Sequence, residues 1–171
     1  VKQYQNTVTD LLASFRQPGS GFQELGLKGD YYKGRRHDNR NKAFDRVDAT
    51  VDFTFDNKTP DEKIEGPEFA IRWEGSVFAP ETGEYEFVVQ TEHSCRLWVN
   101  QPFFNGPPPI IDQGVKSGND TEYRATITLL GGRVYPIKLE YIKGKAGVGD
   151  PKLNKDVNKL GRSSIKLLWV M

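Results

Sequence analysis

Residues 69–100, FAIRWEGSVFAPETGEYEFVVQTEHSCRLWVN, carry the pattern that decides the fold. Hydrophobic and polar residues alternate over 69–73, over 84–90 and again over 95–99, with PETG at 80–83 between the first two segments. A period of two puts one side of each strand on a core and leaves the other side in water. The Pro and Gly of PETG are typical of a short turn. This stretch therefore predicts three consecutive strands.

The rest of the chain continues the pattern. Alternating segments occupy 121–130, 134–142 and 164–170, and Gly131-Gly132 predicts a two-residue hairpin between the first two. About nine short strands without helical segments between them predict an all-β protein, an antiparallel β-sandwich. The stretches 33–46, 101–120 and 143–162 do not alternate and are predicted as loops.

The N-terminal segment has a different period. Its apolar residues have helical spacing and are Tyr4, Val8, Leu11, Leu12 and Phe15. QPGSG at 17–21 ends the pattern. We therefore expect a short helix and linker over 1–22, the tail of an upstream region, followed by one sandwich domain over 23–171.

Composition excludes several classes of function. The net charge of +1 on 171 residues gives no basis for nucleic-acid binding, and no apolar run is long enough to span a membrane. Cys95, the single cysteine, can form neither an intramolecular disulfide nor a CxxCH haem attachment. It alternates with Leu97 and Val99, which predicts that all three are buried, with Arg96, Trp98 and Asn100 on the other face.

The chain carries no recognisable catalytic motif. GxSxG, HExxH, a P-loop and GxGxxG before a helix are all missing, and the two histidines are far apart in sequence. We therefore expect a protein that is not an enzyme and that has no cofactor in this fragment.

The order of several motifs identifies a family resemblance. GLKGDYY at 26–32, the stretch 69–100, LLGGRVYPIKLEY from 129 and SIKLLWV at 164–170 together resemble a protective-antigen-type (PA-14) domain. This resemblance implies an extracytoplasmic carbohydrate-binding module, of the kind attached to glycosidases, adhesins or toxins. The expected partner is a polysaccharide, and the expected location is periplasmic or extracellular.

A second resemblance concerns the parent protein. QYQNTVTDLL near the N-terminus resembles the segment that precedes such a domain in large multidomain c-type-haem proteins of planctomycete bacteria. KAFDRVD and VKSGNDTEYR fit the same subgroup. The resemblance implies an exported parent whose neighbouring domains are further partners.

The resemblance also points to a ligand site. Family members that bind sugar through calcium have two consecutive aspartates at the corner before the Leu-Trp strand, and this position falls on Glu92 and His93. Further oxygen donors in the loop before the last strand are Asp150, Asn154, Asp156 and Asn158. Because calcium prefers several hard oxygen ligands, His93 and the longer Glu92 weigh against a calcium site of the usual kind.

Three hypotheses stay open at this stage. A carbohydrate-binding surface would combine these residues with Phe103 and Phe104, which either stack on sugars or are tucked under a Pro-rich loop. Two basic stretches favour an acidic glycan, and their residues are Arg35, Arg36, Arg40, Lys152, Lys155 and Lys159. A structural or protein-interaction module is the alternative. A transition-metal site at Glu92 and His93 is the third, although two adjacent ligands are too few.

Overall fold

Every strand in the described part of the chain belongs to one of two antiparallel sheets. The computed structural model describes residues 26–56, 58–101, 108–115, 119–144 and 163–171. The strands in these ranges are β1 (Leu27–Lys33), β2 (Lys42–Asp48), β3 (Asp52–Thr54), β4 (Phe69–Ala79), β5 (Gly83–Thr91), β6 (Ser94–Val99), β7 (Ile111–Gln113), β8 (Glu122–Leu129), β9 (Arg133–Lys143) and β10 (Ser164–Val170). The all-β prediction is confirmed, and the expected N-terminal helix lies outside the described residues.

The two sheets form a sandwich. One has six strands in the order β2-β1-β4-β9-β6-β7, and the other has four in the order β3-β10-β5-β8. Inward-facing side chains of both sheets form one core, whose largest members include Trp73, Tyr31, Tyr85, Phe87 and Trp169. Cys95, Leu97 and Val99 are buried as predicted, and Arg96 and Trp98 on the other face are partly exposed.

The expectation of a wet outer face is wrong for part of the four-stranded sheet. Leu168 alternates with the core residues Leu167 and Trp169 and therefore points outward, yet it is buried. Its cross-strand neighbour Val88 is fully buried on the same side. The centre of this sheet is therefore apolar on both faces.

Gly131-Gly132 does not form the predicted hairpin. β8 and β9, which flank it, belong to different sheets, so the turn carries the chain across the sandwich. The PETG turn between β4 and β5 crosses in the same way, and the two crossings touch. A Cβ atom on Gly131 would lie 2.7 Å from backbone atoms of Glu81 and Thr82, so only glycine fits there.

A tyrosine anchors each of these crossings. The Tyr85 hydroxyl donates to the carbonyl of Glu81 at 2.6 Å, and the Tyr135 hydroxyl donates to the carbonyl of Leu130 at 3.0 Å. The same hydroxyls accept from the backbone N–H groups of Glu81 and Leu130. Both turns therefore have their backbone groups satisfied from inside the sandwich.

Two strands lie in stretches that were predicted as loops. β2 includes residues 42–46 of the first of these stretches, and β7 is a three-residue strand that pairs with residues 95–97. Both are edge strands, and most of β2 is partly or fully exposed, so burial does not alternate along it. The period-two signal is therefore missing, although the backbone is extended and paired.

The last residue of β2, Asp48, is a buried carboxylate that holds three elements together. Its Oδ2 atom accepts hydrogen bonds from the Tyr31 hydroxyl at 2.6 Å and from Trp73 Nε1 at 2.7 Å. Its Oδ1 atom accepts from Arg46 Nε at 2.7 Å. The Arg46 guanidinium also lies 4.7 Å from the centre of the Tyr31 ring. Strands β1, β2 and β4 are thus joined through one side chain whose charge is fully compensated.

Replacing Asp48 by alanine will leave three buried or half-buried hydrogen-bond donors without their acceptor. We expect Asp48→Ala to lower the free energy of unfolding in urea by about 3–5 kcal/mol, the usual cost of breaking a buried charge network. Asp45→Ala on the same strand is the matched control, since Asp45 forms only an exposed ion pair with Lys42. Equal losses in the two variants would contradict the role given to Asp48.

The free energy of unfolding should also decrease at high pH. Burial, followed by the hydrogen bond to Asp48, raises the pKa of Tyr31, and burial raises the pKa of Tyr85. Because the unfolded chain ionises these tyrosines above about pH 10 and the folded chain resists ionisation, the free energy of unfolding decreases as pH rises beyond that value. Urea unfolding at increasing pH, combined with the absorbance of tyrosinate, measures this decrease in the free energy of unfolding. A flat profile would count against these buried hydroxyls.

Candidate functional site

Glu92 and His93 lie at the corner where the chain passes from β5 in one sheet to β6 in the other. Both residues are partly exposed. β10 begins beside this corner, because Ile165 pairs with Thr91. The corner predicted from the sequence is therefore confirmed, and it lies at the end of the sandwich opposite the two tyrosine-anchored turns.

The Glu92 carboxylate binds the start of β10. Its Oε2 atom accepts hydrogen bonds from the backbone N–H of Ser164 at 2.9 Å and from the Ser164 hydroxyl at 2.8 Å. The Thr91 hydroxyl donates to the Ser164 carbonyl at 2.7 Å and accepts from the His93 N–H at 3.1 Å. The corner is thus fixed to β10 from both sides, and Oε1 of Glu92 accepts no hydrogen bond from the described residues.

The interior beneath this corner is polar. The described part of the chain has four buried polar or charged residues, and three of them, Thr91, Lys143 and Ser163, are at this end. Ser163 Oγ and Lys143 Nζ both donate to the carbonyl of Asp56, at 2.9 and 3.0 Å. Asp56 has a φ of 48°, a left-handed conformation that aspartate tolerates better than most residues.

His93 and Tyr141 connect the corner to this interior. The two rings meet edge to face, with centroids 6.2 Å apart. Burial raises the pKa of the Tyr141 hydroxyl, the negative charge of Glu92 raises it further, and Ser163 opposes the rise. Tyr141 is therefore a neutral hydroxyl throughout the physiological pH range.

A strongly basic loop borders the same end. Residues 34–41, called the basic loop below, follow β1, whose last residue Lys33 pairs with Phe69 at the start of β4. Arg35, Arg36 and Arg40 in this loop are exposed. The Arg35 guanidinium lies beside Gly144, which directly follows Lys143. The basic loop and the Glu92–His93 corner therefore border the same end of the sandwich.

Sequence reasoning missed the polar interior. Lys143 had a signal, because the alternation of Ile137, Leu139 and Tyr141 along β9 extends to it and places it inward. No sequence pattern pointed to Ser163 and Ser164, since serines at the start of a strand are common. The remaining predicted site residues lie outside the described residues, so their meeting with the corner stays a prediction; they are Asp150, Asn154, Asp156, Asn158, Phe103 and Phe104.

The described residues at the corner do not fit a calcium ion. Calcium takes six to eight oxygen ligands, whereas Glu92 already uses Oε2 to bind Ser164, and the His93 ring offers nitrogen. Within the described ranges, no three His, Cys, Asp or Glu side chains group in a way that could hold a metal ion. The same finding counts against the transition-metal hypothesis for this part of the chain.

Comparison with known proteins defines the class. The architecture is that of an antiparallel β-sandwich with a polar end, and residues 23–162 match the PA14 domain family. The chain therefore belongs to the PA14 domain family. The resemblance seen in the sequence is confirmed at this level, as is the sandwich.

Two of the proteins that this chain resembles are longer than the chain. The chain is 30% identical over 144 residues to the anti-sigma-I factor RsgI3 of Acetivibrio thermocellus, covering 84% of this chain and 19% of that protein. An anti-sigma factor domain-containing protein from Clostridium clariflavum has a similar structure (TM-score 0.64, 28% identity, 84% of this chain and 41% of that one). The chain thus spans about a fifth of its curated relative.

A structural neighbour with a bound sugar shares only the fold. The A domain of epithelial adhesin 9 from Candida glabrata, solved in complex with Galβ1-4GlcNAc, has a TM-score of 0.57 and 13% identity. The alignment covers 85% of this chain and 81% of the adhesin domain.

No helix capable of crossing a bilayer occurs among the residues that the structure describes.

The hydrogen bonds of Glu92 give a testable prediction of stability. Glu92→Ala removes the acceptor of the Ser164 N–H and hydroxyl, and we expect the free energy of unfolding to fall by about 1–3 kcal/mol. Glu92→Gln keeps a carbonyl acceptor and should lose less. Glu84→Ala, at an exposed position on β5, is the control and should change little. Urea unfolding of all three variants measures these differences. An unchanged free energy of unfolding in Glu92→Ala would contradict the role of this carboxylate.

Proposed function

We propose that this chain is a non-catalytic carbohydrate-binding module of a larger exported protein, and that its ligand is an acidic polysaccharide. The observation that carries the proposal is the presence of the Glu92–His93 corner and the basic loop at one end of the sandwich. Sugar hydroxyls need paired donors and acceptors, and ligand carboxylates or sulfates need cations. This end has both kinds of group.

Each group has a chemical role in this proposal. Glu92 Oε1 can accept from a sugar hydroxyl while Oε2 stays on Ser164, and the partly exposed His93 is proposed to contact the ligand beside it. The exposed guanidinium groups of Arg35, Arg36 and Arg40 can pair with uronic-acid carboxylates or sulfates in bidentate geometry. Asp150, Asn154, Asp156, Asn158, Phe103 and Phe104 are proposed to complete the surface.

The relatives support a binding module in a multidomain parent. The adhesin domain with the same fold was solved with a disaccharide, and the anti-sigma factor relative is several times longer than this chain. We extend the proposal to a periplasmic or extracellular location, in keeping with an adhesin relative, and to neighbouring domains as partners. The planctomycete c-type-haem parent is likewise proposed, on the sequence resemblance alone.

Affinity electrophoresis in gels containing neutral, uronic-acid or sulfated polysaccharides tests this function. We expect retardation by an acidic polysaccharide, weakened by salt because exposed charges are screened. His93→Ala and the double variant Arg35→Ala/Arg36→Ala should each weaken binding by roughly tenfold, about 1.4 kcal/mol. Arg133→Ala, exposed at the opposite end of the sandwich, is the control.

The outcomes separate this proposal from its alternative, a structural or protein-interaction module. The use of Glu92 to bind Ser164 inside the protein favours that alternative. No retardation by any polysaccharide, with or without calcium, would establish it over glycan binding. Retardation that persists in the corner and loop variants would place the ligand elsewhere on the domain.

A further inference from the structure

A positive charge is buried at the end of the sandwich where the family resemblance places the calcium-binding pair of other family members. Lys143, the last residue of β9, points into the interior and is 1% exposed. Among the described residues, no carboxylate lies within ion-pair distance of its ammonium group. Buried lysines without a carboxylate partner cost folding free energy, so this side chain needs an explanation.

The contacts of the ammonium group connect three strands. Nζ donates to the Asp56 carbonyl, just beyond β3, and lies 5.4 Å from the centre of the Phe69 ring at the start of β4. Ser163 Oγ donates to the same carbonyl, and the Ser163 carbonyl accepts from the N–H groups of Phe55 and Asp56. The left-handed backbone at Asp56 is therefore held between a lysine and a serine.

These contacts lead directly to the corner. Ser164, the neighbour of Ser163, is the residue that donates twice to Glu92. A path of hydrogen bonds and one peptide link therefore runs from a protein cation, Lys143, to a protein anion, Glu92. A divalent ion that bound both oxygens of Glu92 would have to displace the Ser164 donors, whereas the Lys143 ammonium already supplies a positive charge to this end through the Asp56 carbonyl.

We propose that the Lys143 ammonium is the resident cation of this end, doing the structural work of a metal ion, so that the domain is independent of calcium. The ammonium fixes Asp56 and Ser163, and through Ser164 it fixes the corner. The proposal rests on the proposed function only in treating this end as the ligand-facing one.

The first test uses the unmodified chain without any glycan. A ligand that binds only the folded state must raise the melting temperature. We expect melting curves in millimolar CaCl₂ and in EDTA to agree within about 1 °C, and calorimetric titration with CaCl₂ to give no binding heat. A clear rise in melting temperature with calcium would overturn the proposal.

The second test asks whether Lys143 is charged and whether its charge matters. NMR titration of the Lys143 side-chain carbons should show a protonated amine at neutral pH, and a neutral amine there would overturn the proposal. Lys143→Met keeps the aliphatic volume but removes the charge and the donor. We expect amide exchange at Phe55 and Asp56 to accelerate roughly tenfold in this variant, through local opening.

Lys166→Met is the matched control, since Lys166 lies on the outer face of β10 and pairs with Asp52. Equal exchange in Lys143→Met and the unmodified chain would overturn the proposal.

Glycan binding is measured separately. Calcium-dependent binding would preserve the proposed function and reject the resident cation. If melting is insensitive to calcium and no glycan binds, the role of Lys143 is supported and the proposed glycan-binding function is rejected.

Discussion

The carboxylate of Asp48 is the interaction on which the six-stranded sheet depends. An ionised group inside a protein is costly unless donors surround it, and here a tyrosine, a tryptophan and an arginine do so. The arrangement also dictates its neighbours. A side chain at Gly29 would approach Asp48 Oδ2 to 2.7 Å, so the donors can converge only because β1 has a glycine there. The edge strand β2 is thereby fixed to the core despite its polar sequence.

The two ends of the sandwich are built by different means. One end is closed by paired turns, in which tyrosine hydroxyls satisfy the backbone and close contact demands glycine. The other end has the buried polar residues Thr91, Lys143 and Ser163 and the three exposed arginines of the basic loop. Buried polar groups reduce stability and concentrate where a protein functions. This asymmetry is the reason for placing the ligand at the Glu92–His93 end.

Alternation in the sequence predicted the central strands and the inward residues of β6 and β9, because each of those strands has one apolar face. It failed where burial does not alternate, as in the edge strand β2. Gly131-Gly132 indicated a turn correctly, but a turn signal does not say whether the chain returns to the same sheet. Asp48 resembles a surface aspartate in the sequence, since its three donors come from distant positions. At the candidate site, the corner could be predicted by position, while its attachment to Ser164 and Lys143 depends on contacts across the fold.

The direction of β10 has a mechanical consequence. This strand starts beside the Glu92–His93 corner and runs to the opposite end, antiparallel to β5, with which it pairs over residues 165–170. If a polysaccharide held the corner while any polypeptide beyond residue 171 was pulled, the force would act along both strands in opposite directions. Their hydrogen bonds would then be loaded together in shear instead of being peeled apart one at a time. Such a geometry would suit a domain that anchors a larger protein to an immobile polymer.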